Sequence, residues 1–477
     1  MVDASPGADR PSYEELAALV VELRAENAAL RERLDELERR VNRDSGNSSM
    51  PPSSDPPASR AERRRLAREA YKRSMRKSGG QPGHQGKNRE LVAPGRVNEH
   101  FVHLPDCCGC GHEFDGSEER VGDPVVHQQY ELPPVVPLVF AHARLRLRCP
   151  ACQSTVLASL SAGDGAGFGP RADAHIAMLA GVFRLSREQV RQTLVEVFGI
   201  PASTGSVDSA IMRMSAVLAD PWAELREAIR KAGVVHADET TWRLRGATQW
   251  LWVAASALVA CFRIDPSRSQ AAAKELLGEE FGGFVVSDRY AGYHFLDVLQ
   301  QQLCWCHVIR QLVEVSQRSG AAGRRGTRLV KLAREVIAAH CAFLADGRDP
   351  GWLNDQLAPL RAEIRVLLEQ SAAGHHTRTA NFAAGLLEEY EALWTFCDVP
   401  DLQIDPSNNA AERAVRHAVL MRRIQGGTQS DQGNRWIERI QSVLETCRLQ
   451  HRPVLAYLIT AAGAAHHRLP IPSLVPT

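Results

Sequence analysis

Three short stretches in the C-terminal half each set a carboxylate among unusual neighbours. They are Val-Val-His-Ala-Asp238-Glu-Thr-Thr-Trp, Gly-Gly-Phe-Val-Val-Ser-Asp288-Arg-Tyr-Ala-Gly-Tyr, and Asp-Pro-Ser-Asn-Asn-Ala-Ala-Glu412-Arg-Ala-Val-Arg. Three carboxylates that converge can hold divalent metal ions, and a pair of Mg2+ ions about 3.5–4 Å apart can drive in-line displacement at a phosphodiester. Mg2+ takes oxygen ligands and keeps several waters, so few carboxylates are needed. Each residue also has an ordinary reading. Asp238 or Asp288 could cap a turn after a strand, and Glu412 could sit in a helix's first turn, paired with Arg416 at i+4. Glu239, next to Asp238, points elsewhere if the strand continues.

The elements that must position these side chains are of mixed type. The apolar pattern predicts strands at Val234–His236, Trp250–Val259, Cys261–Ile264, Phe284–Ser287 and Leu303–Cys306. Helices are expected over Gln270–Leu277 and near Phe295–Leu299. Three strands, helix, strand, helix, strand is an α/β layout, with both aspartates just past the ends of buried strands. Helical periodicity then runs through 308–400, before a helix carrying Glu412 and another over Trp436–Arg448. Upstream, Ser186 and Gln189 form a capping box opening a helix at Arg187–Phe198, and a second helix runs from Thr204 to about Val217. Their spacing is that of a helix-turn-helix, but core packing explains it as well.

A second chemistry is written in cysteine. Cys107 and Cys110, with Cys149 and Cys152, make two Cys-x-x-Cys pairs whose thiolates could complete a tetrahedral zinc site. Alternation over Arg144–Arg148 suggests a hairpin that brings the pairs together; Cys108, His103 and His112 are alternative ligands, and reduced structural cysteines are the plain reading. Residues 13–41 carry heptads, with Leu16, Leu23, Leu30 and Leu37 at one seam position and Tyr13, Val20, Asn27, Leu34 and Val41 at the other. This predicts a parallel homodimer through the N-terminal coil, with Asn27 fixing its register. After a Ser/Pro-rich linker, Arg60–Lys77 holds nine Arg or Lys against Glu62 and Glu69. Within it Arg63, Arg64, Arg65, Arg68, Lys72, Arg73, Arg76 and Lys77 are candidate DNA-phosphate contacts, or a solvated charged face.

Composition sets the frame for these motifs. The 477 residues are 44% hydrophobic and 24% charged, enough for two to four globular domains. The net charge of +1 conceals the basic run, since the remaining chain is acidic. No apolar segment follows Met1 and no run is long enough to span a bilayer, so a cytoplasmic protein with no membrane partner is expected. In a reducing compartment eleven cysteines argue against a disulfide framework.

Taken together the motifs resemble transposases of the insertion-sequence-66 family, over nearly the whole chain. The N-terminal coil, Asn47–Asp55 (with Met50 where Lys is usual) and Gly79–His84 look like the family's N-terminal signature. The paired Cys-x-x-Cys turns look like its zinc-binding module. His236-Ala-Asp238-Glu-Thr-Thr-Trp242 with Trp250-Leu-Trp252, Ser287-Asp288-x-Tyr-Ala-Gly-Tyr293, Cys304-Trp-x-His307 and Asn408-Asn409-x-x-Glu412-Arg413-x-x-Arg416 look like its catalytic core. The resemblance implies an RNase-H-like fold with an Asp-Asp-Glu triad at Asp238, Asp288 and Glu412, a helical insertion before the glutamate, and His307, Arg413 and Arg416 as active-site support. Arg289 stands where glycine is common in the family.

It further implies Mg2+ or Mn2+ at the triad, Zn2+ at the cysteines, DNA as partner at element ends and target, and accessory proteins of the same element. The reaction would free 3′-hydroxyl ends and transfer them to target DNA. Domains are expected as coil 1–43, basic linker 44–95, zinc module 96–160, helical segment 161–231, core 232–307, insertion 308–400, core completion 401–460 and tail 461–477. Two rivals stay open: a zinc-containing dimeric DNA-binding regulator without catalysis, and a nuclease of the same fold.

Overall fold

A computed structural model describes residues 13–41, 89–160, 164–165 and 167–476. The basic run, with Arg63, Arg64, Arg65, Arg68, Lys72, Arg73, Arg76 and Lys77, lies outside the described residues. The chain forms two compact units, one of residues 57–136 and one of 1–56 with 137–477.

In the smaller unit the described chain is mostly extended. Gln128 clamps it to itself, its side chain accepting from Val92 N at 2.7 Å and donating to Val92 O at 2.9 Å. Cys107 and Cys110 lie on a turn closed by Gly111 N to Cys108 O (2.9 Å) and Cys108 N to His112 O (2.8 Å).

The larger unit contains the helix Tyr13–Val41. A hairpin of β1 (Arg146–Arg148) and β2 (Thr155–Leu157) follows. That hairpin closes on the second cysteine pair itself, with Cys149 N donating to Ser154 O at 2.8 Å. The two pairs therefore fall in different compact units.

The main sheet is built from β3 (Val234–Leu244), β4 (Ala247–Ala255), β5 (Ala260–Asp265), β6 (Phe284–Ser287) and β7 (Gln301–Leu303), in the order β5-β4-β3-β6-β7. The first three are antiparallel neighbours; β6 and β7 join parallel. β3 is far longer than the expected Val234–His236. Its polar Asp238–Thr241 stretch reads as loop, yet it pairs along β4 as far as Leu244↔Ala247. Arg245 (φ 50°) and Gly246 (φ 82°) make the two-residue left-handed turn that this register needs.

The last strand also differs from expectation. Gln301–Leu303 forms it, and Cys304 caps the helix Trp305–Ser316. Gln302 is buried there because its amide accepts from Phe396 N at 2.7 Å and donates to Leu303 O at 2.8 Å. Near Phe295–Leu299 the structure has short 3-10 turns at Ala291–Tyr293 and Val298–Gln300 in place of a helix.

Two cores flank the sheet. Val285 and Val235 face the first, which the helices Pro170–Ala177, Thr204–Val217, Asp431–Leu449 and Val454–His466 complete. Val286 and Leu303 face the second, formed with Trp305–Ser316, Gly320–Asp346, Pro350–Ala372 and Thr377–Glu388. Adjacent valines on opposite faces follow from the two-residue period of a strand. Burial on both faces is why β6 reads as a continuous apolar run.

Upstream, Ser186 makes the expected capping box with Gln189, opening a helix over Arg187–Glu196. No described helix is long and apolar enough to cross a membrane.

Candidate active site

The strand register brings the two aspartates level. β3 and β6 are parallel neighbours paired at His236↔Val286, and each aspartate lies two residues further on. Parallel strands sit about 4.8 Å apart, so Asp238 and Asp288 emerge side by side at the end of β6. Asp288 shapes its own turn, its Oδ1 accepting from Tyr290 N at 3.0 Å. Asp238 Oδ1 accepts from Glu239 N at 2.9 Å.

The third carboxylate arrives on the helix Asn409–Gln425, which is tied to β3 at both ends. At its start Asn408, buried, donates through Nδ2 to Ala237 O at 2.7 Å, one residue before Asp238. Beyond its end Thr428 exchanges backbone hydrogen bonds with β3 and the turn after it, through Arg243 O (2.8 Å) and Arg245 N (2.9 Å). Gly427 permits that return: its φ is +103°, and a Cβ there would lie 2.3 Å from Arg243 O. Glu412 sits in the first turn of this helix, its Oε1 3.7 Å from His307 Nδ1 and 3.5 Å from an Arg310 guanidinium nitrogen.

Electrostatics report the same convergence. Burial, and then the charges of Glu239, Asp288 and Glu412, push the Asp238 carboxyl well above the usual carboxylate range. Three other acidic groups thus act on Asp238 at one end of the sheet. Such a cluster stabilises a bound cation and is destabilising without one.

Glu239 does point away from Asp238, as expected if the strand continued. Its side chain is 1% exposed, paired with Arg268 and accepting from the Tyr293 hydroxyl at 3.0 Å. Burial, followed by Asp288, raises its pKa, against the lowering effect of Arg268 and Tyr293. Arg268 in turn lies over the Tyr290 ring at 3.7 Å. Glu239, Arg268, Tyr290 and Tyr293 thus form a linked group beside the two aspartates.

Arg413 and Arg416 are exposed on the Glu412 helix. Arg413 is close enough to His236 to oppose its protonation, although burial is the main cause of that histidine's lowered pKa. Arg289, in the position where glycine is common, donates to Glu389 Oε2 at 2.6 Å and ties the Asp288 turn to the end of Thr377–Glu388.

Arg268, Arg310 and the clamp from Asn408 were not singled out by sequence reasoning. Arg310 had one local signal, since it follows His307 by three residues and so shares its helix face. Arg268 acts across 29 residues of chain and leaves no local pattern, whereas Asn408 stood in the quoted Asn408-Asn409-x-x-Glu412 motif while its bond to Ala237, 171 residues away, left no mark there.

The second cysteine pair forms a polar turn. Cys152 Sγ is 2.9 Å from Ser154 Oγ, and hydrogen bonding from Ser154, then from Cys149, brings its thiol down to about 7. Cys108 is lowered too, by hydrogen bonds from Cys110. All eleven cysteines are free thiols.

A mixed α/β sheet thus carries an acidic cluster at the ends of its parallel strands. Residues 165–435, more than half of the chain, match the family model described as Transposase IS66 family. The chain belongs to that family. Residues 3–90 match a second model, described as a family of unknown function (DUF6444). A curated relative, the uncharacterized protein y4qI of Sinorhizobium fredii, is 25% identical over 256 residues, which are 47% of this chain and 46% of the relative. The chain thus spans about half the length of that relative.

Proposed function

We propose that this protein is a DNA transposase with an RNase-H-like catalytic core and an Asp-Asp-Glu triad at Asp238, Asp288 and Glu412. Family membership and the strand order β5-β4-β3-β6-β7, with three antiparallel and two parallel members, support this reading. One observation carries it: Asp238 and Asp288 share a register level, and the helix bearing Glu412 is tied by Asn408 to the residue before Asp238.

The donor set fits Mg2+ or Mn2+, because Asp238 and Asp288 offer only oxygen and their mutual repulsion needs a cation. Divalent ions bound there would activate the attacking oxygen and stabilise the leaving one. Asp238, Asp288 and Glu412 would be the residues that hold the ions. Arg310 steadies the Glu412 carboxylate from the insertion side, and His307 faces it at 3.7 Å. Arg413 and Arg416, exposed on the same helix, would meet DNA phosphate.

The remaining roles complete the proposal. Cys107 with Cys110, and Cys149 with Cys152, would each offer thiolates to zinc within its own unit, and the basic segment from Arg63 to Lys77 would contact DNA phosphate. The N-terminal helix dimerises as a coiled coil, since Val20, Leu23, Leu30, Leu34 and Leu37 on its heptad seam are all exposed. The eight segments from 1–43 to 461–477 are the proposed working domains.

The test is incubation of a labelled element end with Mg2+ and the full chain. Cleavage with joined products is expected. Asp238→Asn should lower cleavage by about 1000-fold or more, because the metal contribution is worth several kcal/mol, and should leave DNA affinity nearly unchanged. Cutting without joined products would mean a nuclease, and binding without cutting a regulator.

A further inference from the structure

One cluster beside the acidic end of the sheet has the wrong donors for Mg2+. Cys304, His307 and Glu412 place sulfur, nitrogen and oxygen donors within 4.8 Å of one another, and no other His, Cys, Asp or Glu group among the described residues does so. Cys304 caps the Trp305–Ser316 helix and His307 stands in its first turn, while Glu412 comes from the helix opposite. The sulfur is held in place by a hydrogen bond from Asn408 N at 3.1 Å. His307 Nδ1 is buried without a hydrogen-bond partner and faces Glu412 Oε1 at 3.7 Å. A buried imidazole nitrogen left unpaired beside a thiol and a carboxylate lacks the partner that such groups normally have.

We propose that Cys304, His307 and Glu412 form a second metal site, selective for a thiolate-accepting ion of the zinc class and sharing Glu412 with the acidic cluster. A tetrahedral zinc with bonds of about 2.0–2.3 Å sets its donors about 3.3–3.8 Å apart. The His307–Glu412 pair already stands at that separation, and Cys304 needs only a small approach. Binding releases the thiol proton to solvent and forms the sulfur–metal bond. Three protein ligands leave a fourth position for water, which the half-exposed Glu412 side of the cluster can admit. Mg2+ would decline the sulfur, so the two kinds of ion compete for one carboxylate through different partners.

If Glu412 also serves as the third triad member, zinc held here withdraws it and inhibits cleavage; that consequence rests on the reading under Proposed function, whereas the site itself does not. The experiment is a zinc titration of the full chain against a chromophoric chelator, counting sites per chain in wild type, Cys304→Ser, His307→Ala and Glu412→Gln. Each variant is first checked by its thermal melt. Cys304→Ser and His307→Ala should each lose the same single site while sites at the exposed cysteine pairs remain. Glu412→Gln, a half-exposed and near-isosteric change, keeps the fold in place should the buried variants fail. It should weaken that site by more than about 100-fold, the upper end of the cost of losing even an outer-shell partner. Unchanged stoichiometry and affinity in Glu412→Gln and in the folded variants would overturn the site. Because the readout is binding, loss of the cleavage reading would leave this result standing, and the reverse.

Discussion

At the scale of single residues, Asp238 stands in an environment that strongly disfavours its charged form. Burial and three neighbouring carboxylates raise its pKa, and Glu239 is raised as well. For an acid whose folded pKa is raised, the folded state binds more protons than the unfolded one, so stability falls as pH rises. The stabilising share is complete below the ordinary carboxylate range and is lost as pH climbs through the raised value. Metal-free protein should therefore lose stability above about pH 4, with a slope of up to about 1.4 kcal/mol per pH unit for each such group. Added Mg2+ should reverse the trend, since it binds the charged form. Asp238→Asn should flatten the metal-free profile and weaken the Mg2+ response. Melting temperatures across pH, in chelator and then in Mg2+, check this; a wild-type profile that matches Asp238→Asn would defeat it.

At the scale of elements, the site depends on how one helix is fastened to one strand. Asn408 and the Gly427–Thr428 return are the fastenings, and both grip β3. Asn408→Ala removes a buried side-chain hydrogen bond and should cost about 1–3 kcal/mol. It should also weaken Mg2+ binding, because the start of the Glu412 helix is freed; calorimetric titration measures that, and unaltered metal affinity in a destabilised protein would show that the clamp is purely structural. Local elements were legible in the sequence where local rules decide them. The helix Gln270–Leu277 and strand Phe284–Ser287 lie where periodicity puts them, and Ser186 with Gln189 caps as its spacing requires. Legibility failed where distant partners override local character. Asp238–Thr241 became strand because β4 pairs with it, and Gln301–Gln302 became buried strand because Thr395 donates to the Gln301 carbonyl and Phe396 N to the Gln302 side-chain amide, both more than ninety positions away. The carboxylates could be named from their neighbours, but their convergence needed the β3–β6 register and the Asn408 bond, neither of which leaves a mark in any single stretch.

At the scale of the whole molecule, the N-terminal helix remains the element without an internal explanation for its sequence. Its 29 residues span about 43 Å. Leu23, Leu30 and Leu37 at one seam position are each about half exposed or more, as are Val20 and Leu34 at the other. Asn27, between them, turns its amide to Leu23 O at 3.0 Å. A helix with an apolar stripe gains little by standing alone in water and is stabilised mainly by covering that stripe. A second copy of the chain meets the need, because identical heptads present the same seam and Asn27 would face Asn27 in a parallel pair. Light scattering of the full chain should then give twice the 52.5 kDa monomer mass, and removal of residues 1–43 should bring it to a monomer with the thermal melt of the sheet-bearing unit nearly unchanged. Leu23→Glu with Leu30→Glu should act in the same direction without shortening the chain, since each carboxylate would oppose its twin across the seam. A truncated protein that keeps the full-length assembly state would place the dimer contact elsewhere.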